Sequence, residues 1–174
     1  MTGFERNADI VHMCTYAPLF AHVKGWQWRP DMIWYDNGNM FKTCSYYVQQ
    51  LYSKYKGDYV LSCTMDKKAV TGQPDQDGLF ATACYDKKMD AVILKVVNVS
   101  DVEQVVNFNW AGKAKDLKAG YSEVQKITLS AFQMDDENSI DDPFKITPKT
   151  EVIRNDVKTV NVPAKSFQVY IFKK

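Results

Sequence analysis

Histidine is nearly absent: His12 and His22 are the only two in 174 residues. A metal centre built on imidazoles, or a nucleophile activated by one, would have to use one of them. His12 lies in the apolar-flanked run Ile10-Val11-His12-Met13, a setting that suits a packed core histidine better than a catalytic one. Cysteine is scarce as well. Cys14, Cys44, Cys63 and Cys84 are widely spaced without a C-x-x-C pair, which argues against a zinc site and predicts free, buried thiols. Excess charge of either sign is missing: 22 Lys and Arg face 21 Asp and Glu, for a net charge of +1. Nucleic acid is therefore not an expected partner, because phosphate neutralisation needs a concentrated basic surface. No apolar run approaches the roughly 20 residues of a membrane helix, so a membrane is not expected either. The first ten residues lack the basic-then-apolar order of a secretory signal, and MTGFERNADIV reads as the middle of something. No metal and no cofactor are expected.

What is present is ordinary globular text, 45% hydrophobic and 25% charged, of a length that suits one domain or one domain with a short attached piece. The chain divides near Gly57. Before it the text is aromatic and mixed in period. Residues 10–14 form a short apolar run that suits a buried strand, and residues 31–36 form another, ahead of the turn signal Asn37-Gly38-Asn39. Thr43 has the chemistry of a helix N-cap. Tyr47, Val48, Leu51, Tyr52 and Tyr55 then recur at helical spacing up to Gly57, a residue suited to a left-handed cap, and this predicts a helix over residues 43–56.

After Gly57 the period changes to two. Residues 59–63, 79–85, 91–97, 102–110, 121–132, 151–153, 157–162 and 166–172 are short and β-prone. Clusters such as Gly72-Gln73-Pro74-Asp75, Asp86-Lys87-Lys88 and Asp141-Asp142-Pro143 separate them. Seven or eight short strands at this spacing predict an antiparallel β-sandwich.

Four constellations invite a functional reading, and each has a plainer one. Asp135, Asp136, Glu137, Asp141 and Asp142 offer oxygen ligands, yet without EF-hand spacing they suit a solvated loop. Asn98-Val99-Ser100 matches the glycosylation triplet at a strand end, where chance is the better explanation. Glu5, Asp9, Asp31 and Asp36 are the candidate acids for glycoside chemistry, but nothing in their spacing marks two as a pair. Trp26, Trp28 and Trp34, with Tyr16 and Tyr35, form the densest aromatic cluster, suited to a core or interface and, less often, to stacking on sugar rings.

The most specific signal is a resemblance. T-G-F-E-R-N-A-D-I-V-H-M, then Y-A-P-L-F, then W-x-P-D-M-I-W-Y-D-N with Arg29 at the variable place, are followed by the helix text S-Y-Y-V-Q-Q-L-Y. Further on come L-K-V-V-N-V-S, E-N-S-I-D-D-P-F-K-I-T-P and V-P-A-K-S-F-Q-V-Y. Essentially the whole chain resembles the C-terminal part of the alpha-L-arabinofuranosidases of glycoside hydrolase family fifty-one, in the branch shared by plant and Bacteroidetes-like enzymes.

The resemblance implies a mainly β fold. A jelly-roll-like antiparallel sandwich over residues 58–174 would be preceded, over residues 1–57, by a remnant of a (β/α)8 barrel. Residues 10–14 would be the last barrel strand and residues 43–56 the closing helix. The family's two catalytic glutamates would lie upstream of Met1, so no catalytic residue is expected here. Without its neighbours the segment 1–39 would fold back on the sandwich, self-associate or stay partly disordered. Active sites of such barrels lie at the C-terminal ends of the strands, which makes Tyr16, Trp26 and Trp28 the substrate-adjacent candidates. Pro18 falls where some members carry a sugar-contacting glutamine, so that contact is not carried over. The implied partners are an arabinose-containing polysaccharide or oligosaccharide, met through the parent enzyme, and the catalytic barrel itself. The parent is expected to be secreted or periplasmic. The alternative is a carbohydrate-binding sandwich, which requires Tyr59, Tyr85, Trp110 and Tyr121 to form an exposed coplanar row.

Overall fold

A computed structural model describes residues 1–111, 123–133, 135–153 and 157–173. The chain opens with a short helix, Thr2–Arg6 (α1). The expected strand at residues 10–14 is absent: Ile10 closes a turn, Val11 to Cys14 have no regular structure, and Met13 is exposed. The physical reason is that a strand gains its hydrogen bonds from neighbours, and no described strand runs alongside this one. His12 is exposed rather than packed.

A small sheet follows. Phe20–His22 (β1) pairs parallel with Ile33–Tyr35 (β2), which pairs antiparallel with Met40–Lys42 (β3). The turn between β2 and β3 is held by Asp36, whose Oδ1 accepts from the Gly38 and Asn39 amides at 2.8 and 2.6 Å. These amides hold the Asp36 carboxyl below the usual carboxylate range. The second helix, Cys44–Lys54 (α2), starts where Thr43 predicts, with the hydroxyl oxygen accepting from the Tyr46 amide at 3.4 Å. It stops two residues earlier than expected. Gly57 then takes a left-handed φ of +67°, and a Cβ there would stand 2.8 Å from Cys84 Sγ.

Beyond Gly57 the strands are Tyr59–Leu61 (β4), Thr64–Met65 (β5), Lys68–Ala69 (β6), Leu79–Asp86 (β7), Ala91–Asn98 (β8), Gln104–Asn107 (β9), Glu123–Ser130 (β10), Lys149–Ile153 (β11), Thr159–Val162 (β12) and Ser166–Lys173 (β13). Six of them form one antiparallel sheet in the order β11-β10-β13-β8-β7-β4. β9 pairs with β12, and β5 with β6. The architecture is the expected mainly β, antiparallel sandwich.

Period-two alternation explains how this sheet has two buried faces. On β13, Phe167, Val169 and Ile171 pack with Ile93, Ile127 and Leu129 against Tyr47, Leu51 and Tyr52 of α2. The intervening Tyr170 and Phe172 pack with Val92, Leu94 and Val96 against Val160 and Val162 of β12. The central strands therefore read as continuous apolar runs rather than half-polar ones. Each fully buried Val, Ile or Phe contributes about 1.5–3 kcal/mol, so this double-faced sheet carries most of the driving force for folding.

The N-terminal segment folds back on this sheet. Arg6 Nη2 donates to the carbonyl oxygens of Val70 at 2.9 Å and Ala81 at 3.0 Å. Glu5 forms an ion pair with Lys95, whose side chain is fully buried on β8. From the other end, Asn138 donates to the carbonyls of Lys42 at 2.8 Å and Ile146 at 2.9 Å, and its Oδ1 accepts from the Ile146 amide at 2.7 Å. The connection between β10 and β11 is thereby tied to β3.

Candidate functional site

The aromatic cluster lies on the loop between β1 and β2 and on β2 itself. Trp34 is its floor, 4% exposed, with its indole N–H donating to the Asp31 carbonyl at 3.2 Å and its ring parallel to Phe41 at 6.4 Å between centroids. Trp26 meets Trp34 edge-on at 5.8 Å and is 48% exposed, and Trp28 is 62% exposed. The Arg29 guanidinium carbon stands 5.1 Å from the Trp34 ring centroid and 5.5 Å from that of Trp26. The site is a buried indole carrying an exposed one, with a cation beside both. Such surfaces stack on the apolar faces of sugar rings or on another protein. Tyr16 is half-buried on the irregular stretch before β1, and among the described residues no ring contact joins it to Trp26 or Trp28. His22 lies edge-on to Tyr35 at 5.3 Å, and its Nδ1 accepts from the Lys24 amide, a structural task.

The four candidate acids have separate situations. Glu5 is committed to Lys95, Asp36 to its turn, and Asp9 is exposed. Asp31 is buried, and its Oδ2 has no hydrogen-bond partner among the described residues. The acidic stretch is a loop organised by Asp136, whose Oδ2 accepts from the amides of Phe132 and Gln133 at 3.0 and 2.9 Å while Oδ1 accepts from Lys145 at 2.7 Å. Lys145 and these amides hold the Asp136 carboxyl below its ordinary range. Asn98, the first residue of the glycosylation triplet, is buried. Its amide nitrogen donates to the carbonyls of Val102, Val162 and Pro163 at 2.8, 3.1 and 3.1 Å, and its Oδ1 accepts from the Ser100 amide and hydroxyl. That nitrogen is occupied, so the triplet is a strand-end lock.

The four thiols are free, as expected, but they are not uniformly buried: Cys14 is exposed and only Cys84 is fully buried. Burial raises the Cys84 thiol to about 11, against a smaller opposing pull from Lys95. Lys95 is the residue that pattern reading missed. Its Nζ donates to Glu5 Oε1 and, at 2.5 Å, to the Tyr55 carbonyl at the end of α2, and it lies 5.1 Å from the Tyr52 ring centroid. A lysine inside the run Ala-Val-Ile-Leu-Lys-Val-Val was the available signal.

The three described aromatics of the alternative reading, Tyr59, Tyr85 and Trp110, do not form an exposed row. Tyr59 is exposed and directly opposite Tyr85 across β4 and β7, but Tyr85 and Trp110 pack against the core, with Trp110 edge-on to Phe172 at 4.8 Å. Tyr121 lies outside the described residues. A hollow of about 620 Å³ beside Trp110 is lined mainly by apolar side chains, including Leu61, Met65, Leu94, Val96 and Phe108.

A doubly covered antiparallel sheet, preceded by a helix and an aromatic loop, defines the class as a β-sandwich, and it is similar to part of solved glycoside hydrolases. An arabinose-bound family fifty-one alpha-L-arabinofuranosidase superposes with a TM-score of 0.83 at 29% identity, covering 99% of this chain and 26% of that one. The family fifty-one arabinofuranosidase of Xanthomonas axonopodis pv. citri shares the fold at a TM-score of 0.70 and 21% identity, over 98% of this chain and 33% of that one. The particular family follows from the sequence match: the chain belongs to the alpha-L-arabinofuranosidase C-terminal domain family, whose model matches residues 1–166. Probable alpha-L-arabinofuranosidase A of Aspergillus niger is 30% identical over 168 residues, 94% of this chain and 24% of that protein. Alpha-L-arabinofuranosidase 1 of Arabidopsis thaliana is 28% identical over 174 residues, 98% of this chain and 24% of that protein. The chain thus spans about a quarter of the length of these relatives. No described helix is long and apolar enough to cross a membrane.

Proposed function

We propose that this chain is the C-terminal portion of a retaining alpha-L-arabinofuranosidase that removes terminal arabinofuranosyl residues from arabinan or arabinoxylan. In this reading residues 1–57 are the end of the catalytic barrel and residues 58–174 the sandwich that buttresses it. Both catalytic glutamates belong to the barrel portion. Tyr16, Trp26 and Trp28 flank the sugar site, and the parent acts outside the cytoplasm. A relative from Streptomyces chartreusis, 44% identical over 78 residues, bears the name extracellular exo-alpha-L-arabinofuranosidase, which supports that location.

One observation carries the reading. Ile10, Met13, Leu19, Phe20, Trp28 and Met40 all lie exposed within the first forty residues, while the same segment is fastened to the sandwich through Glu5 and Arg6 and, just beyond it, through the Asn138 contact with Lys42. An apolar surface of this kind on an anchored segment calls for a covering partner, and the catalytic barrel fits. Two assays test it. The folded chain alone should show a flat trace with a chromogenic aryl alpha-L-arabinofuranoside. Turnover that vanishes on replacing Glu5, Asp9, Asp31 or Asp36 would overturn the assignment.

A further inference from the structure

The exposed aromatic loop is held from the sandwich side. Trp26 stands on a loop, meets Trp34 edge-on and is about half exposed. Arg29 stacks beside both indoles, at 5.5 and 5.1 Å from their centroids, and its Nη2 lies 3.6 Å from Glu137 Oε1. Glu137 immediately precedes Asn138, the buried residue that ties the β10–β11 connection to β3 through one hydrogen bond to the Lys42 carbonyl and braces the connection itself through two with Ile146. Contacts therefore run unbroken from the sandwich through Glu137 and Arg29 to Trp26. Trp28, two residues away from Trp26, has neither a ring contact nor a guanidinium partner among the described residues.

The residue type matters. A guanidinium is planar and weakly hydrated, so one side chain can lie against two rings and still present an edge to a carboxylate. An ammonium cannot. The Arg29–Glu137 pair is exposed on both sides and weak by itself, so Glu137 orients the guanidinium while the stacking holds the ring. In the motif W-x-P-D, Arg29 fills the variable place.

We propose that Arg29 is a positioning residue that fixes the ring of Trp26 for contact with a sugar, with Glu137 carrying the constraint from the sandwich connection into the loop. The identity of the ligand, an arabinose-containing oligosaccharide, rests on the function proposed above; the mechanical linkage does not. It makes the sandwich a part of the substrate-facing surface rather than a remote brace.

The test is nitrogen-15 NMR of the tryptophan indoles in the whole chain, comparing Arg29→Met, Arg29→Lys and Glu137→Gln with the parent sequence. In the parent, the Trp26 indole should be as rigid on the nanosecond scale as Trp34, and Trp28 should be mobile. Arg29→Met should bring Trp26 to the mobility of Trp28 while Trp34 stays rigid, which also shows that the chain is folded. Arg29→Lys should not restore it, and Glu137→Gln should give an intermediate value. A Trp26 that is mobile in the parent, rigid in Arg29→Met or fully restored by lysine overturns the proposal. The milder Glu137→Gln change keeps the test decisive if Arg29→Met unfolds: an unaltered Trp26 there removes Glu137 from the linkage. Titration with arabino-oligosaccharide in the same samples should shift the Trp26 indole, with affinity roughly threefold to tenfold weaker in Arg29→Met. No shift in a parent whose Trp26 is rigid would overturn the sugar reading and leave the positioning intact.

Discussion

The Glu5–Lys95 pair should be the most sensitive polar contact in the molecule. Lys95 has no exposed side-chain surface and Glu5 only 9%, and the ammonium has three protein acceptors nearby: Glu5 Oε1, the Tyr55 carbonyl and, at 3.6 Å, Cys84 Sγ. In Glu5→Ala the ammonium stays at the same depth with no counter-charge, since its side chain is fully buried and its backbone is held in the sheet between β7 and β13. Removing one partner of a buried pair costs about 3–5 kcal/mol, because the remaining charge keeps its full desolvation penalty. For a chain of this length that is a fall in melting temperature of roughly 6–20 °C, out of a total stability of about 5–15 kcal/mol. Lys95→Met should cost a similar amount by stranding the Glu5 carboxylate. The double change Glu5→Leu with Lys95→Met removes both charges and fills the space, so it should recover most of the loss. Urea unfolding of the four proteins measures each of these costs directly. A Glu5→Ala cost below about 1 kcal/mol would show that the pair behaves as a solvated surface contact. The burial argument would then fail, and with it the claim that α1 is anchored there.

Other positions give independent checks. Gly57→Ala combines a positive φ with a Cβ 2.8 Å from Cys84 Sγ and 3.0 Å from the Tyr85 carbonyl, so a loss of about 2–4 kcal/mol is expected by urea unfolding. Asn98→Ala strands three carbonyl oxygens at the end of β8 and should cost about 2–4 kcal/mol; mass spectrometry of the chain from a glycosylating host should find Asn98 unmodified. Thiol titration of the folded chain should show Cys14 reacting at once and Cys84 only on unfolding, since Cys84 is buried and its thiol sits near 11. Asp136 has its folded pKa lowered by Lys145, so the pair stabilises above the ordinary carboxylate pKa of about 4 and the contribution is lost as pH falls through the lowered value. Lys145 is shifted upward by the same contact, so its share persists at neutral pH and fades only above about 10. Asp136→Asn should therefore flatten the acid limb of stability below pH 4 and leave the neutral region parallel; an unchanged acid limb would rule the pair out.

Much of the architecture was legible because it depends on local chemistry. Thr43 is an N-cap by virtue of its hydroxyl, and Tyr47, Leu51 and Tyr52 share a face at helical period. Residues 79–85, 91–97 and 166–172 read as strands because β-branched and aromatic residues crowd there, and the observed strands overlap each of them. The family, too, was legible in the sequence motifs, and its model matches residues 1–166. The strand expected at residues 10–14 failed because a strand is a property of its neighbours rather than of its own side chains, and the described chain places none beside it. β1, β3 and the β5–β6 hairpin escaped notice because two or three residues carry too little period to read.

Long-range contacts were beyond any local pattern. Nothing in the sequence says that Glu5 meets Lys95 ninety positions away, that Arg29 reaches Glu137, or that Asn98 spends its amide on Val162 and Pro163. Sequence by itself determined the longer strands, α2, the turn chemistry and the family, since these follow from propensity, period and motif. Tertiary structure alone decided which polar groups are buried, which acids are already committed, and which aromatics remain outside, because each of those depends on what the fold brings alongside.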